Sequence, residues 1–219
     1  MLVNADFTKK IFLTPDEYQW VPSPQEGIER IMLDRVGDER ARATSIVRYA
    51  NSSYFPQHTH PGGEEIFVLS GILSEEHGHY PEGWYIRNPP GSTHQPFSIE
   101  GAVIFVKLWQ MQSGDQRYVR VNTRDPSNWQ RDGNRDICLL FDNEREHVML
   151  VCIEANSKLL KNPIEGFEIL VLNGELLDEV RRYVRGSWIR VPAGEAASLL
   201  TGNNGATIYL KTSHLTKKT

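Results

Sequence analysis

The stretch that decides the fold reads His58-Thr59-His60-Pro61-Gly62-Gly63-Glu64, and His94 follows further along the chain. In a β-strand, residues i and i+2 point to the same face, so His58 and His60 can converge while Thr59 points away. The Pro-Gly-Gly sequence indicates a turn, and Glu64 then opens an apolar run that reads as a strand ending at Gly71. Three imidazoles and one carboxylate are enough to hold one divalent metal ion. We therefore predict a metal site formed by His58, His60, Glu64 and His94.

The chemistry of these donors narrows the choice of metal. They offer nitrogen and oxygen atoms without a thiolate, a set that suits Zn, Fe, Mn, Ni or Co better than Cu(I) or an iron–sulfur cluster. The neighbouring Glu65 should point the other way along the strand, so we do not expect it to be a ligand.

The same residues resemble the two signature motifs of the cupin superfamily. The first motif, HxH followed by Glu and Gly, is matched by His58, His60, Glu64 and Gly71. The second motif, Gly followed by Pro-x-Gly and His, is matched by Gly83, Pro89, Gly91 and His94. Ser52 and Ser98 stand where the superfamily usually has Gly and Asn. Neither position is a usual ligand, so the metal prediction is unaffected.

Within the superfamily, residues 40–110 look like the cupin domain of ChrR-type anti-sigma factors. This resemblance implies that His58, His60, Glu64 and His94 bind zinc. It also implies a regulatory or sensory role, because those proteins hold a sigma factor inactive and respond to oxidant stress. Their sigma-binding part is an N-terminal helical zinc domain with His and Cys ligands, whereas residues 1–57 here contain neither. We therefore do not expect inhibition of a sigma factor to carry over to this chain.

An internal repeat predicts two tandem domains of similar fold. Residues 65–71 recur as residues 168–174, and the turn residues of the second motif recur at the same offset as Gly186, Pro192 and Gly194. The predicted ligands do not recur, since Phe167 replaces Glu64 and Ala197 replaces His94, and residues 160–163 at the HxH position contain no His. We predict an N-terminal metal-binding cupin over residues 1–113 and a C-terminal degenerate cupin without metal ligands over residues 114–219.

Short apolar runs between Gly and Pro turns predict an all-β fold of two jelly-roll barrels. The predicted strands cover residues 28–33, 44–49, 65–70, 83–87, 93–97, 103–110, 137–141, 148–153, 168–172, 187–191 and 206–211. The strands near Cys138 and Cys152 form a predicted hairpin. These two cysteines are expected to be reduced, with a redox pair as the alternative.

Composition limits the partners. A formal net charge of −4 gives no basic footprint for nucleic acid. No apolar run approaches the roughly 20 residues that span a bilayer, and the N-terminus lacks the order of a secretory signal, so we expect a cytoplasmic protein.

Three functions fit these predictions: a regulatory or sensory module, an enzyme, and a protein that binds a small molecule in the N-terminal barrel without catalysis. If it is an enzyme, Fe(II) or Mn(II) at this site would serve a dioxygenase that acts on a small diketone or hydroxyketone. A Zn(II) ion coordinated by all four residues, with no open position, favours the regulatory function instead. We adopt this interpretation.

Overall fold

The computed structural model describes residues 1–38, 40–159 and 166–215. Within these ranges the regular structure is β-strand, apart from two short 3-10 helices at Pro15–Glu17 and Pro126–Asn128. The all-β prediction is therefore confirmed. In the same ranges, no helix has the length and apolar character needed to cross a membrane.

The strands of the first half, in chain order, are β1 (Leu2–Val3), β2 (Ile11–Leu13), β3 (Val21–Pro22), β4 (Ile28–Val36), β5 (Arg42–Tyr49), β6 (Ser53–Tyr54), β7 (His58–His60), β8 (Glu64–Glu75), β9 (Gly78–Pro81), β10 (Trp84–Asn88), β11 (Ser92–His94), β12 (Phe97–Ser98), β13 (Ala102–Leu108) and β14 (Val119–Asn122). Those of the second half are β15 (Trp129–Asp132), β16 (Arg135–Asn143), β17 (Glu146–Ile153), β18 (Phe167–Leu177), β19 (Arg182–Val184), β20 (Trp188–Val191) and β21 (Leu200–Thr212). Every predicted strand overlaps an observed one.

The chain divides into two compact units. Unit 1 comprises residues 1–5 and 19–124, and unit 2 comprises residues 6–18 and 125–219. The predicted boundary between residues 113 and 114 would place β2 in the first domain and β14 in the second. In the structure, β2 belongs to unit 2 and β14 belongs to unit 1. The predicted boundary follows the sequence repeat, whereas the two units follow the contacts between residues. The boundary therefore stays a prediction.

In unit 1 the main sheet runs in the order β1-β4-β5-β13-β8-β10-β14, and β7 and β11 form a separate two-stranded sheet. The main sheet of unit 2 runs in the order β15-β16-β17-β21-β18-β20-β2. The arrangement β8-β10-β14 in unit 1 is repeated as β18-β20-β2 in unit 2. Each unit thus adds one short strand at the same edge, which is β14 in the first case and β2 in the second.

Alternation along the strands builds a separate apolar core in each unit. The core of unit 1 includes Ile66, Val68, Ile104 and Val106, all at or below 5% exposed. That of unit 2 includes residues at the repeat positions, among them Ile169, Val171 and Ile208. The apolar positions shared by the two repeats therefore form the core of each unit.

One glycine of the repeat is required by a close backbone approach. Gly71 has φ +71°, and a Cβ there would lie 2.1 Å from the carbonyl oxygen of Gly101. The repeat counterpart Gly174 has φ +68° and would place a Cβ 2.2 Å from the carbonyl oxygen of Gly205. The strand does not end at this glycine as predicted, because β8 continues to Glu75 and β18 to Leu177.

Candidate metal centre

Two short strands bring the three histidines together. Strands β7 and β11 pair antiparallel, with His58 opposite His94 and His60 opposite Ser92. The ligand atoms of the three imidazoles lie within 4.8 Å of one another. His60 Nε2 and His94 Nε2 are 2.9 Å apart. The local strand geometry expected from the HxH spacing is therefore present.

Glu64 joins this cluster from the first position of β8. Its Oε2 lies 3.3 Å from His94 Nε2 and 3.5 Å from His60 Nε2. A tetrahedral ion at roughly 2.0 Å from each ligand atom would hold neighbouring ligand atoms about 3.3 Å apart. The observed separations of 2.9, 3.3 and 3.5 Å are close to that spacing. His60, Glu64 and His94 therefore have spacings that fit one ion, and His58 lies within 4.8 Å of the other two histidines. Metal binding by the four predicted ligands stays a prediction.

The outer nitrogens of two histidines are already engaged. His94 Nδ1 lies 2.7 Å from Glu75 Oε2, and His58 Nδ1 lies 2.8 Å from the carbonyl oxygen of Pro56. When Nδ1 carries the donated proton, the lone pair of Nε2 is free for a metal. Glu64 is also oriented, since Asn88 Nδ2 donates to its Oε2 at 3.2 Å.

Electrostatics favour the protonation states that a metal needs at His60 and Glu64, but not at His94. Burial lowers the pKa of His60, although the Glu64 carboxylate opposes this. Burial alone would raise the pKa of Glu64, but His60, His94 and the amide of Asn88 together lower it. Burial would likewise lower the pKa of His94, but Glu64 and Glu75 raise it. The shifts at His60 and Glu64 are towards the neutral imidazole and the ionised carboxylate that bind a metal, whereas a metal at His94 competes with a proton that Glu64 and Glu75 favour.

Sequence reasoning missed Glu75 and Asn88. Both are buried and each touches one predicted ligand. A signal for Asn88 was present in the repeat, because its counterpart is the fully buried Val191 of unit 2. Glu65, in contrast, faces away from the histidines as predicted and pairs with Arg87 at 3.1 Å.

In unit 2, the positions that correspond to Glu64 and His94 are apolar. Phe167 is 1% exposed and lies in the core cluster of that unit, and Ala197 packs against the same cluster. Residues 160–163, which the repeat aligns with the HxH motif, lie outside the described residues.

The predicted hairpin around the two cysteines is present as β16 and β17. Its register places Cys138 opposite Leu150 and Cys152 opposite Asp136. Both cysteines are free, and burial raises the pKa of the Cys138 thiol to about 11. A thiol with so high a pKa is a poor nucleophile at neutral pH, in keeping with an unreactive Cys138.

The sheet order, the repeated units and the histidine cluster define a tandem cupin. Residues 8–112 match the family described as the ChrR cupin-like domain. These residues therefore form a cupin domain of the ChrR type. The sequence matches no curated protein significantly.

Solved structures share this fold across nearly the whole chain. A proposed dioxygenase from Nostoc punctiforme PCC 73102 is 14% identical with a TM-score of 0.77, covering 96% of this chain and 85% of that one. The bacterial pirin YhhW from Escherichia coli, solved with nickel(II), is 11% identical with a TM-score of 0.69, covering 93% of this chain and 98% of that one. Ylba from E. coli is 17% identical with a TM-score of 0.69, covering 98% and 95%. At these identities the likeness concerns the fold.

Proposed function

We propose that this protein is a metal-binding regulatory or sensor protein that holds one Zn(II) in unit 1. The ligands are His58, His60, Glu64 and His94. The observation that carries the proposal is the convergence of three imidazoles, with the Glu64 carboxylate beside two of them at separations that suit a single ion. Four protein ligands would close a tetrahedral Zn(II), which is the arrangement of a structural rather than a catalytic zinc site.

The regulatory part of the proposal is supported by the ChrR-type domain of residues 8–112. In such a protein the metal would stabilise the signalling form of the barrel, and a small molecule or oxidant that reaches the metal would change it. Inhibition of a sigma factor is not part of the proposal. A cytoplasmic location is proposed as well, which two free cysteines support.

The first test is metal content. Protein purified without added metal should contain one zinc per chain, measured by inductively coupled plasma mass spectrometry. His94→Ala should lose most of it, because one of four ligands is removed. His147→Ala is the matched control, since this partly exposed histidine belongs to β17 of unit 2 and pairs with Asp142. Near-full zinc in His94→Ala would contradict the proposed ligand set.

A second function, that of a dioxygenase, is favoured by one observation. His58 is only partly buried, whereas His60, Glu64 and His94 are buried. The cluster is therefore least covered on the His58 side. On a five- or six-coordinate Fe(II) or Mn(II), the same four ligands leave positions open for O₂ and a chelating substrate. The fold likeness to the proposed dioxygenase of N. punctiforme is compatible with this function.

Oxygen consumption separates the two functions. Protein loaded anaerobically with Fe(II) is mixed with a panel of β-diketones, and O₂ uptake is followed with an electrode. The regulatory proposal predicts no turnover above that of His94→Ala. Uptake that depends on both the diketone and His94 would instead establish the dioxygenase.

A further inference from the structure

Arg120 lies in β14, beyond the residues that match the ChrR cupin-like family, yet its guanidinium reaches the candidate metal centre. We propose that Arg120 is a positioning residue of this centre, which holds in place the two side chains that orient His94 and Glu64. The inference rests on the proposed metal binding by unit 1.

The contacts of one guanidinium nitrogen carry the argument. Arg120 Nη2 donates to Glu75 Oε1 at 2.8 Å and to Asn88 Oδ1 at 2.7 Å. The other carboxylate oxygen of Glu75 lies 2.7 Å from His94 Nδ1, and the amide nitrogen of Asn88 donates to Glu64 Oε2 at 3.2 Å. Two short hydrogen-bonded chains therefore lead from Arg120 to two of the four predicted ligands.

Arg120 is itself fixed. Its Nε donates to the hydroxyl of Tyr80 at 3.0 Å, and its guanidinium carbon lies 5.3 Å from the centre of that ring. Its Nη1 donates to the carbonyl oxygens of Arg87 and Val119 at 3.0 and 2.9 Å. A side chain held at so many points is preorganised, unlike a surface ion pair.

Unit 2 provides an internal comparison without metal ligands. Arg120 is paired with Ile86 in unit 1, and the corresponding pair in unit 2 joins Phe12 to Ile189. Phe12 is therefore the counterpart of Arg120. It packs against Tyr183 with ring centres 5.5 Å apart, much as Arg120 lies against Tyr80.

Tyr80 and Tyr183 are equivalent, because they pair with the repeat-matched residues Leu73 and Leu176. The packing role of this position can thus be filled by an apolar ring.

Arg120, Asn88 and two of the predicted ligands are lost together in unit 2. The positions of Glu64, Asn88, His94 and Arg120 are taken there by the apolar residues Phe167, Val191, Ala197 and Phe12. Glu75 corresponds to Asp178, which stays acidic and accepts a hydrogen bond from the hydroxyl of Tyr183. If Arg120 served only the fold, unit 2 would be expected to need it as well. Its loss along with the ligands indicates that its function concerns the metal centre.

The expected effect is on metal affinity. Residues that orient a ligating histidine or carboxylate commonly change metal affinity by about 10- to 100-fold when replaced. Arg120→Phe reproduces the residue found in unit 2 and keeps an apolar contact with Tyr80. Arg124→Ala is the matched control, because this exposed arginine near the end of β14 pairs only with Glu82 among the ion pairs described for it.

The test compares zinc dissociation constants of the wild type, Arg120→Phe and Arg124→Ala by competition with a chromogenic chelator. Cobalt(II) spectra of each protein report the coordination geometry at the ion. If Arg120 only stabilised the fold, its replacement would leave these spectra unchanged. We expect zinc binding by Arg120→Phe to weaken by about 10- to 100-fold, with altered cobalt bands. Arg124→Ala should stay close to wild type. Metal-free Arg120→Phe should unfold at a somewhat lower temperature, because Glu75 loses its ion pair with Arg120.

The outcomes are distinguishable. Wild-type affinity and cobalt bands in Arg120→Phe, with metal lost in His94→Ala, would overturn the role of Arg120 and leave the metal centre standing. Failure of the wild type to bind zinc or cobalt would overturn both. If Arg120→Phe does not fold, a double-mutant cycle of Arg120→Lys and Glu75→Gln tests the inference through the zinc affinity of each variant. The inference is supported if the double variant loses less binding free energy for zinc than the two single variants lose in sum. It is overturned if the losses are fully additive or absent.

Discussion

Replacement of Glu75 by Gln tests the support of the metal centre without removing a ligand. Glu75 is 7% exposed, and its two oxygens contact His94 Nδ1 and Arg120 Nη2 at 2.7 and 2.8 Å. Gln has the same length but no charge, so both hydrogen bonds lose their ionic partner. The change should therefore weaken the metal-free fold and, separately, the binding of zinc.

The size of the first effect follows from the pKa of Glu75. Burial alone would raise this pKa, but the hydrogen bond with His94 and the ion pair with Arg120 lower it from 4.5 to about 2. Each pKa unit corresponds to about 1.4 kcal/mol, so the ionised carboxylate contributes on the order of 3 kcal/mol to folding stability. Because the folded pKa lies below the unfolded one, this contribution is complete above pH 4.5 and is lost as the pH falls towards 2.

The assay is urea unfolding of chelator-treated wild type and Glu75→Gln at pH 7 and pH 3.5. Glu75→Gln should be less stable by up to about 3 kcal/mol at pH 7, and the difference should be smaller at pH 3.5. Glu82→Gln is the control, since its partly exposed ion pair with Arg124 should contribute less than about 1 kcal/mol. A Glu75→Gln effect no larger than that control, or one that grows on acidification, would refute the reasoning.

Two further predictions concern the fold and the acid sensitivity of the site. Gly71→Ala should destabilise the protein by about 1–3 kcal/mol or more in urea unfolding, because its Cβ would meet the carbonyl oxygen of Gly101 at 2.1 Å and its φ is +71°. Exposed Gly114→Ala, where no atom lies within 4 Å, is the control, and equal effects in the two variants would be evidence against the close approach. Bound zinc should be released as the pH falls through the imidazole range, because protons compete for His58, His60 and His94. Equilibrium dialysis measures this, and stoichiometric zinc retained well below pH 4 would argue against histidine ligands.

The four candidate ligands could be predicted from sequence because their geometry is local. The alternation of His58 and His60 and the turn before Glu64 act over a few residues, and His94 follows a second turn of Pro and Gly. Strands β7 and β11 then need only to pair.

The supporting residues depend on longer strand relations. Glu75 was missed because the strand was predicted to stop at Gly71, whereas the positive φ of that glycine lets β8 continue past a close approach to Gly101. Arg120 was missed because β14 is only four residues long, and its contact depends on pairing with β10. Strand β2 was not predicted for the same reason. It has three residues and pairs with β20, which lies far from it in the sequence. Short edge strands carry too few residues for a pattern to form.

The most direct test of the account is an anomalous difference map from crystals of the protein purified without added metal, collected above and below the zinc absorption edge. The account predicts one strong peak per chain, within bonding distance of His58, His60, Glu64 and His94, that disappears below the edge. A map with no peak among these four side chains, or with its peak in unit 2, would contradict it.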